Sequence, residues 1–130
     1  MSIIFVLLIL LSHFIADFLM QKDEDANNKW HSIVHLGRHV LTYTFFFSIY
    51  IILGYSVLVE FKFETFIGFR LLLTWFAING VLHFITDYYT SKMTHYLWEE
   101  KRVRAFFHVI GLDQFIHYLC LFGTYYYLTV

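Results

Sequence analysis

The chain has 130 residues, 59% of them hydrophobic and 22% aromatic, with no proline and a formal charge of −1; its mean hydropathy is +0.62. This composition lies outside the ordinary soluble class and reads as a single integral membrane domain over residues 1–130. The basic residues are scattered between apolar segments, which excludes nucleic acid as a partner, and the lone Cys120 excludes both an intrachain disulfide and a cysteine-based metal motif.

In chain order, the first apolar segment covers about 3–20. Met1 to Leu11 has no Lys or Arg ahead of it and no small-residue cleavage pattern after it, so the segment is expected to be a first span and not a removed signal peptide. Its roughly 18 residues sit at the short end of the ~17–25 that cross a bilayer. A polar loop, Gln21 to Lys29, follows. The second segment covers about 33–59, and Glu60 to Glu64, alternating charge with Phe, reads as interfacial. The third covers about 66–90. Thr94 to Arg104 interleaves charges with Tyr96, Leu97 and Val103, the pattern of a helix lying in the headgroup plane, and Gly111 is expected to break it. The fourth segment, about 113–130, ends in Tyr125-Tyr126-Tyr127, as in an interfacial aromatic belt. The predicted fold is all-α: a four-helix transmembrane bundle with an interfacial helical connector between the third and fourth spans.

Of the nine basic residues, Lys22, Lys29, Arg38, Lys92, Lys101, Arg102 and Arg104 flank the loops after the first and third segments, against Lys62 and Arg70 on the other side. The positive-inside rule then places both termini outside and those loops in the cytoplasm, as for a bacterial inner-membrane protein.

Each segment carries ionisable residues four apart near one end: His13 and Asp17, His35 and His39, His83 and Asp87, Asp113 and His117. An i, i+4 pair shares one helix face, and alternating spans bring all four pairs to one depth. A plain hydrogen-bonded helix contact explains one such pair. Eight side chains of ligand type at one level exceed what helix pairing requires. The candidate ligands are His13, Asp17, His35, His39, His83, Asp87 and His117. Asp113 is a ligand, a general base or a helix N-cap, and Asp17 and Asp87 are alternative catalytic carboxylates. Imidazole and carboxylate without thiolate suit Zn²⁺, with Mn²⁺ or Fe²⁺ as alternatives and one or two ions allowed. Gln21 and Asn79 lie one turn from the ligands and, with Gln114, are expected to orient ligands or substrate. Lys22, Lys29, Arg38 and Lys92 ring the mouth, as interfacial anchors or as attractors of a phosphate-bearing substrate. His31, His95 and His108 are expected to be solvated or to face headgroups.

The combination His13-x3-Asp17-x3-Gln21, Lys29 followed by His35 and His39, Asn79-x3-His83-x3-Asp87 with Lys92, and Asp113-Gln114-x2-His117 resembles a family of small multi-pass bacterial and phage membrane proteins classed as a domain of unknown function. More loosely, the His-x3-Asp pairs are similar to those of membrane-bound metal-dependent hydrolases and zinc-dependent phospholipases C, a resemblance that implies phosphoester hydrolysis. The resulting expectation is a metal-dependent hydrolase acting on a lipid or phosphoester at the cytoplasmic interface. A small transporter or proton or metal-ion conduit using the same residues, and a noncatalytic membrane interaction protein, are the alternatives. A homo-oligomer is compatible with each.

Overall fold

The computed structural model describes residues 2–58 and 66–129. The described residues are helical nearly throughout: α1 (Ile3–Phe14) running into a π-helical turn (Ile15–Leu19), then α2 (Asp23–Asn28), α3 (Ile33–Leu58), α4 (Phe66–Glu99) and α5 (Val103–Thr129). The absence of proline leaves no internal helix breaker. Ser2 starts α1 by accepting a hydrogen bond from the Phe5 backbone N–H at 3.2 Å, an ordinary N-cap.

Helices α3, α4 and α5 each contain a stretch long and apolar enough to cross a membrane: Ile33–Gly54, Arg70–Glu99 and Val103–Thr129. The apolar stretch Ile3–Leu19 is shorter. Large apolar side chains stand exposed along all of them, among them Leu7, Leu11, Leu41, Phe45, Leu53, Val81 and Leu119. A belt of that kind faces lipid more readily than water.

Helix α4 packs along α5, α3 lies between α1 and α4, and side chains of α1 reach α5 through the ring contacts Phe5–Tyr125 and His13–Tyr118. The same contacts fix direction. Phe5 meets Trp75 and Tyr125, His13 meets Tyr43, His83 and His117, and along α3 Tyr43 meets His83 while Phe47 meets Trp75, so α1 and α4 run one way and α3 and α5 the other. The interior is divided along this axis. One half is apolar, built on Phe5, Ile9, Phe47, Ile51, Trp75, Phe76 and Leu121. The other half holds the buried histidines and aspartates.

The connector differs from the expectation. Thr94 to Arg104 forms no separate interfacial helix; α4 simply continues to Glu99, for 34 residues in all, or about 51 Å. Helix α5 begins at Val103 and passes through Gly111 without a break. A single glycine costs a helix only ~1 kcal/mol relative to alanine, too little to end 27 residues of packed helix. The turn is instead made at Lys101, where the Lys101 N–H donates to Trp98 O and the Arg102 N–H to Leu97 O, the paired bonds of a Schellman motif. The interfacial stretch expected at Glu60 to Glu64, Lys62, and the end of the second segment at Val59 lie outside the described residues.

Lys101 holds φ of 56°, a left-handed conformation that a residue with a Cβ adopts at a cost of about 1 kcal/mol or more. Lys101→Gly is therefore expected to raise stability by about 1 kcal/mol without altering the turn, measurable as a higher thermal midpoint of the detergent-solubilised protein. An unchanged or lower midpoint would show that the side chain contributes more than its strain costs.

Candidate metal centre

Four of the expected ligands converge on one point. His39 Nε2 and His83 Nε2 face each other at 3.1 Å. Asp17 Oδ1 lies 3.2 Å from the first and 3.4 Å from the second. Asp87 Oδ2 lies 3.0 Å and 3.7 Å from the same two nitrogens. All four residues are buried. His117 stands just outside, its Nε2 3.5 Å from Asp87 Oδ1 and its Nδ1 3.5 Å from Asp113 Oδ2.

The local backbone contributes to this convergence. Asp17 lies in the π turn that follows His13, and π turns inside helices recur at functional sites because the wider turn re-aims a side chain. Helix α4 supplies His83 and Asp87 from one face one turn apart, and the antiparallel α3 and α5 deliver His39 and His117 at the same level.

Hydrogen bonding separates the histidines into two kinds. His13 is fully engaged, Nδ1 at 3.0 Å from Tyr43 Oη and Nε2 at 3.1 Å from Gln114 Oε1. An amide oxygen can only accept, so Nε2 carries the proton and Nδ1 accepts from the tyrosine. Both of its nitrogens are thereby committed to other partners. By contrast, His39 Nδ1, His83 Nδ1 and both nitrogens of His117 are buried without a hydrogen-bond partner. The outer hydrogen bond that commonly orients a ligating imidazole is replaced at His83 by stacking. Its ring lies between Tyr43 at 3.9 Å and His117 at 4.1 Å, nearly parallel to both.

Groups drawn from His13, Asp17, His39, His83, Asp87 and His117 bring donor atoms close enough together to hold a metal ion. The same atoms are engaged with one another as ion pairs, and Lys29 adds a further one: its Nζ donates to Asp87 Oδ2 at 2.6 Å. Asp113 is kept out of the cluster by Thr90, which donates to Oδ1 at 2.6 Å, and by Gln114, whose amide donates to Asp113 Oδ2 and to Asp17 Oδ2. Asp113 lies inside α5 and is no N-cap. A cavity of about 180 Å³ opens beside these groups, reached by Asp17, Lys29, Asp113 and Gln114.

The remaining expected residues fall elsewhere. His35 does not join the cluster. One turn above His39, it pairs with Asp25 at 2.8 Å. Arg38 binds the same Oδ1 through Nη2 at 2.7 Å and Nε at 3.0 Å. Asn79 donates to Trp75 O and Thr124 Oγ1, tying α4 to α5 below the site. Gln21 lines the cavity. Lys22 precedes α2 without capping it, and Lys92 places its ammonium over the Tyr88 ring; neither reaches the cavity. His95 stacks on Trp30, centroids 3.6 Å apart. No pattern of periodicity marked Asp25, inside the polar loop, or Trp30, directly after it. Together they fasten α2 as a strap, Asp25 to α3 and Trp30 to α4, with Lys29 pointing inward between them.

The family model for "Protein of unknown function (DUF3307)" matches residues 4–130. The chain belongs to the DUF3307 family. No match to it is found among curated proteins or among solved structures. The matched span includes each helix that contributes to the cluster, so the centre lies within the DUF3307 domain.

The strap carries a pH signature. Burial works to raise the Asp25 pKa, but hydrogen bonds from His35 and Arg38 outweigh it and hold the carboxyl below its ordinary value. The pairing therefore stabilises the strap fully above the unfolded value of about 3.9 and loses that contribution as pH falls through the lower folded value. Asp25→Asn is expected to remove this acid-dependent component and to reduce hydrogen-exchange protection of residues 23–32 at neutral pH by about tenfold. Equal protection in the variant and the parent at neutral pH would refute the fastening.

Proposed function

We propose that this DUF3307 chain is a four-span membrane bundle holding a zinc ion at one membrane face, where it hydrolyses a lipid or other phosphoester. The observation that carries the reading is that His39 Nε2 and His83 Nε2 lie 3.1 Å apart and each lies 3.0–3.7 Å from Asp17 Oδ1 and from Asp87 Oδ2. Ligands at the ~2.0–2.2 Å of zinc to nitrogen or oxygen define a tetrahedron with edges of about 3.3–3.6 Å. Charge supports the same reading. With the imidazoles neutral, as metal ligation requires, the Lys29 ammonium alone opposes Asp17, Asp87 and Asp113, and one divalent cation would cancel the remaining two negative charges. His117, with two unpartnered nitrogens beside Asp87 Oδ1, would hold a second ion together with Asp87 and His83.

A bound ion would polarise a phosphoryl or carbonyl oxygen and ease the deprotonation of water. The chain's own groups divide the remaining work. Asp113 lines the cavity outside the ligand set and, held by Thr90 and Gln114, serves as general base. Water adds to phosphorus, the ester P–O bond breaks, and the proton accepted by Asp113 passes to the departing alkoxide. The apolar half of the interior, sealed by Phe47, Trp75 and Leu121, favours chemistry at one face over a conduit through the bilayer. The basic residues on the strap and the α4–α5 turn favour the cytoplasmic face of a bacterial inner membrane for that chemistry.

Elemental analysis of the protein purified without chelator tests the reading: one or two zinc ions per chain are expected. His39→Ala and His83→Ala should lower metal content at least about tenfold, whereas His35→Ala should retain it. No stoichiometric transition metal in the parent, or equal loss in all three variants, would overturn the proposal. For the general base, Asp113→Asn is expected to lower phosphoesterase turnover at least about 10²-fold with metal content unchanged; turnover equal to the parent's would remove Asp113 from that role.

A further inference from the structure

The cavity beside the metal centre has a chemical bias: each carboxylate oxygen on its wall already faces a donor or an imidazole, and several of its donors have no partner. Of the carboxylates on its wall, Asp113 receives Thr90 on one oxygen and Gln114 on the other. Asp17 receives Gln114 on Oδ2 and faces the imidazoles through Oδ1. Both N–H bonds of the Gln114 amide are used in doing so. The Thr94 hydroxyl is spent on its own helix, and the single Thr90 proton is shared between Thr86 O and Asp113 Oδ1.

Two groups lining the same cavity are left over. Ser91 is more than nine-tenths buried, and its Oγ has no hydrogen-bond partner, although Thr86, Thr90 and Thr94 on the same helix all bond back to a carbonyl one turn earlier. The Gln21 side-chain nitrogen is likewise buried and unpartnered. Leaving a buried donor unmet costs ~1–3 kcal/mol, and native structures keep few such groups without a role. Lys29 lines the cavity beside them, with Asp87 accounting for one of its three N–H bonds.

Resting on the metal-centre reading above, we infer that this cavity is an oxyanion site for the phosphoryl group of the substrate, with Ser91, Gln21 and Lys29 as its donors. A tetrahedral oxyanion supplies acceptors in three directions and no obligatory donor, which is the complement of these groups. An ammonium headgroup brings no acceptor for these donors, and a polyol brings hydroxyl protons that would compete with Thr90 and Gln114 for Asp113 and Asp17. With one divalent ion in place the surroundings are formally neutral, so the donors and the ion, not net charge, hold the phosphoryl oxygens. About 180 Å³ corresponds to roughly six waters of liquid volume, enough for a phosphoryl group and a few attached atoms. A larger alcohol portion must therefore remain outside. Phe18, Phe106 and Ile110 on the cavity wall are suited to lie along the chains of a lipid phosphate, while a soluble monoester would present the same phosphoryl group from water.

The test uses the zinc-loaded full chain in detergent, titrated with inorganic phosphate by calorimetry and followed by ³¹P line broadening. In parallel it is placed in bicelles containing phosphatidic acid, with diacylglycerol bicelles as the phosphate-free control. Saturable phosphate binding is expected, weakened about tenfold by Ser91→Ala and again by Gln21→Ala, with zinc content unchanged. Binding of phosphatidic acid in preference to inorganic phosphate assigns a lipid source, and the reverse assigns a soluble one. Absence of phosphate binding to a chain that carries stoichiometric zinc would overturn the oxyanion site and leave the metal centre standing. Phosphate binding insensitive to both variants would also overturn it. A chain without zinc that still binds phosphate through Ser91 and Gln21 would keep the oxyanion site and overturn the metal centre.

Discussion

Two buried carboxylates, Asp17 and Asp87, set the terms for the rest of this structure. Taking an ionised carboxylate out of solvent costs several kcal/mol even after relaxation, and each of these is surrounded by compensating groups. Asp17 has His39, His83 and Gln114; Asp87 has His39, His83, His117 and Lys29. Once these two positions are fixed, helices α3, α4 and α5 must meet at one level, α1 must end in register with them, and the strap must reach inward with its lysine. The apolar half of the interior supplies the packing energy that makes such a concentration of polar groups tolerable.

Much of the centre was legible in the sequence because two periodicities agree. Residues four apart share a helix face, and helices of alternating direction place the end of one beside the start of the next. His13, Asp17, His39, His83, Asp87 and His117 follow from these rules alone. His35 does not, because one helical turn moves a side chain about 5.4 Å along the axis, far enough to leave the cluster for Asp25. Position gave no means of telling His13 from His39. Their difference lies in the phenol and amide that hold the former, which are supplied by α3 and α5 from across the interior.

Other features lay beyond the reach of periodicity. The strap residues Asp25 and Trp30 act through contacts with distant helices, and a polar loop looks the same whether it is pinned or free. The missing break at Gly111 shows packing overriding propensity: a glycine flanked by long apolar stretches of helix stays helical. Ser91 carried no signal either, since its role rests on a hydrogen bond that it lacks while the threonines around it make theirs.

The π turn at Ile15–Leu19 implies a compromise in how this chain uses its conformational stability. A regular α-helix through the same residues would have the better hydrogen-bond geometry, so the wider turn persists against a more comfortable competitor. Shortening the segment by one residue offers a route to that competitor, giving a firmer first helix whose aspartate no longer aims at the imidazoles. Robustness and the convergence of the buried cluster would then move in opposite directions on a single deletion.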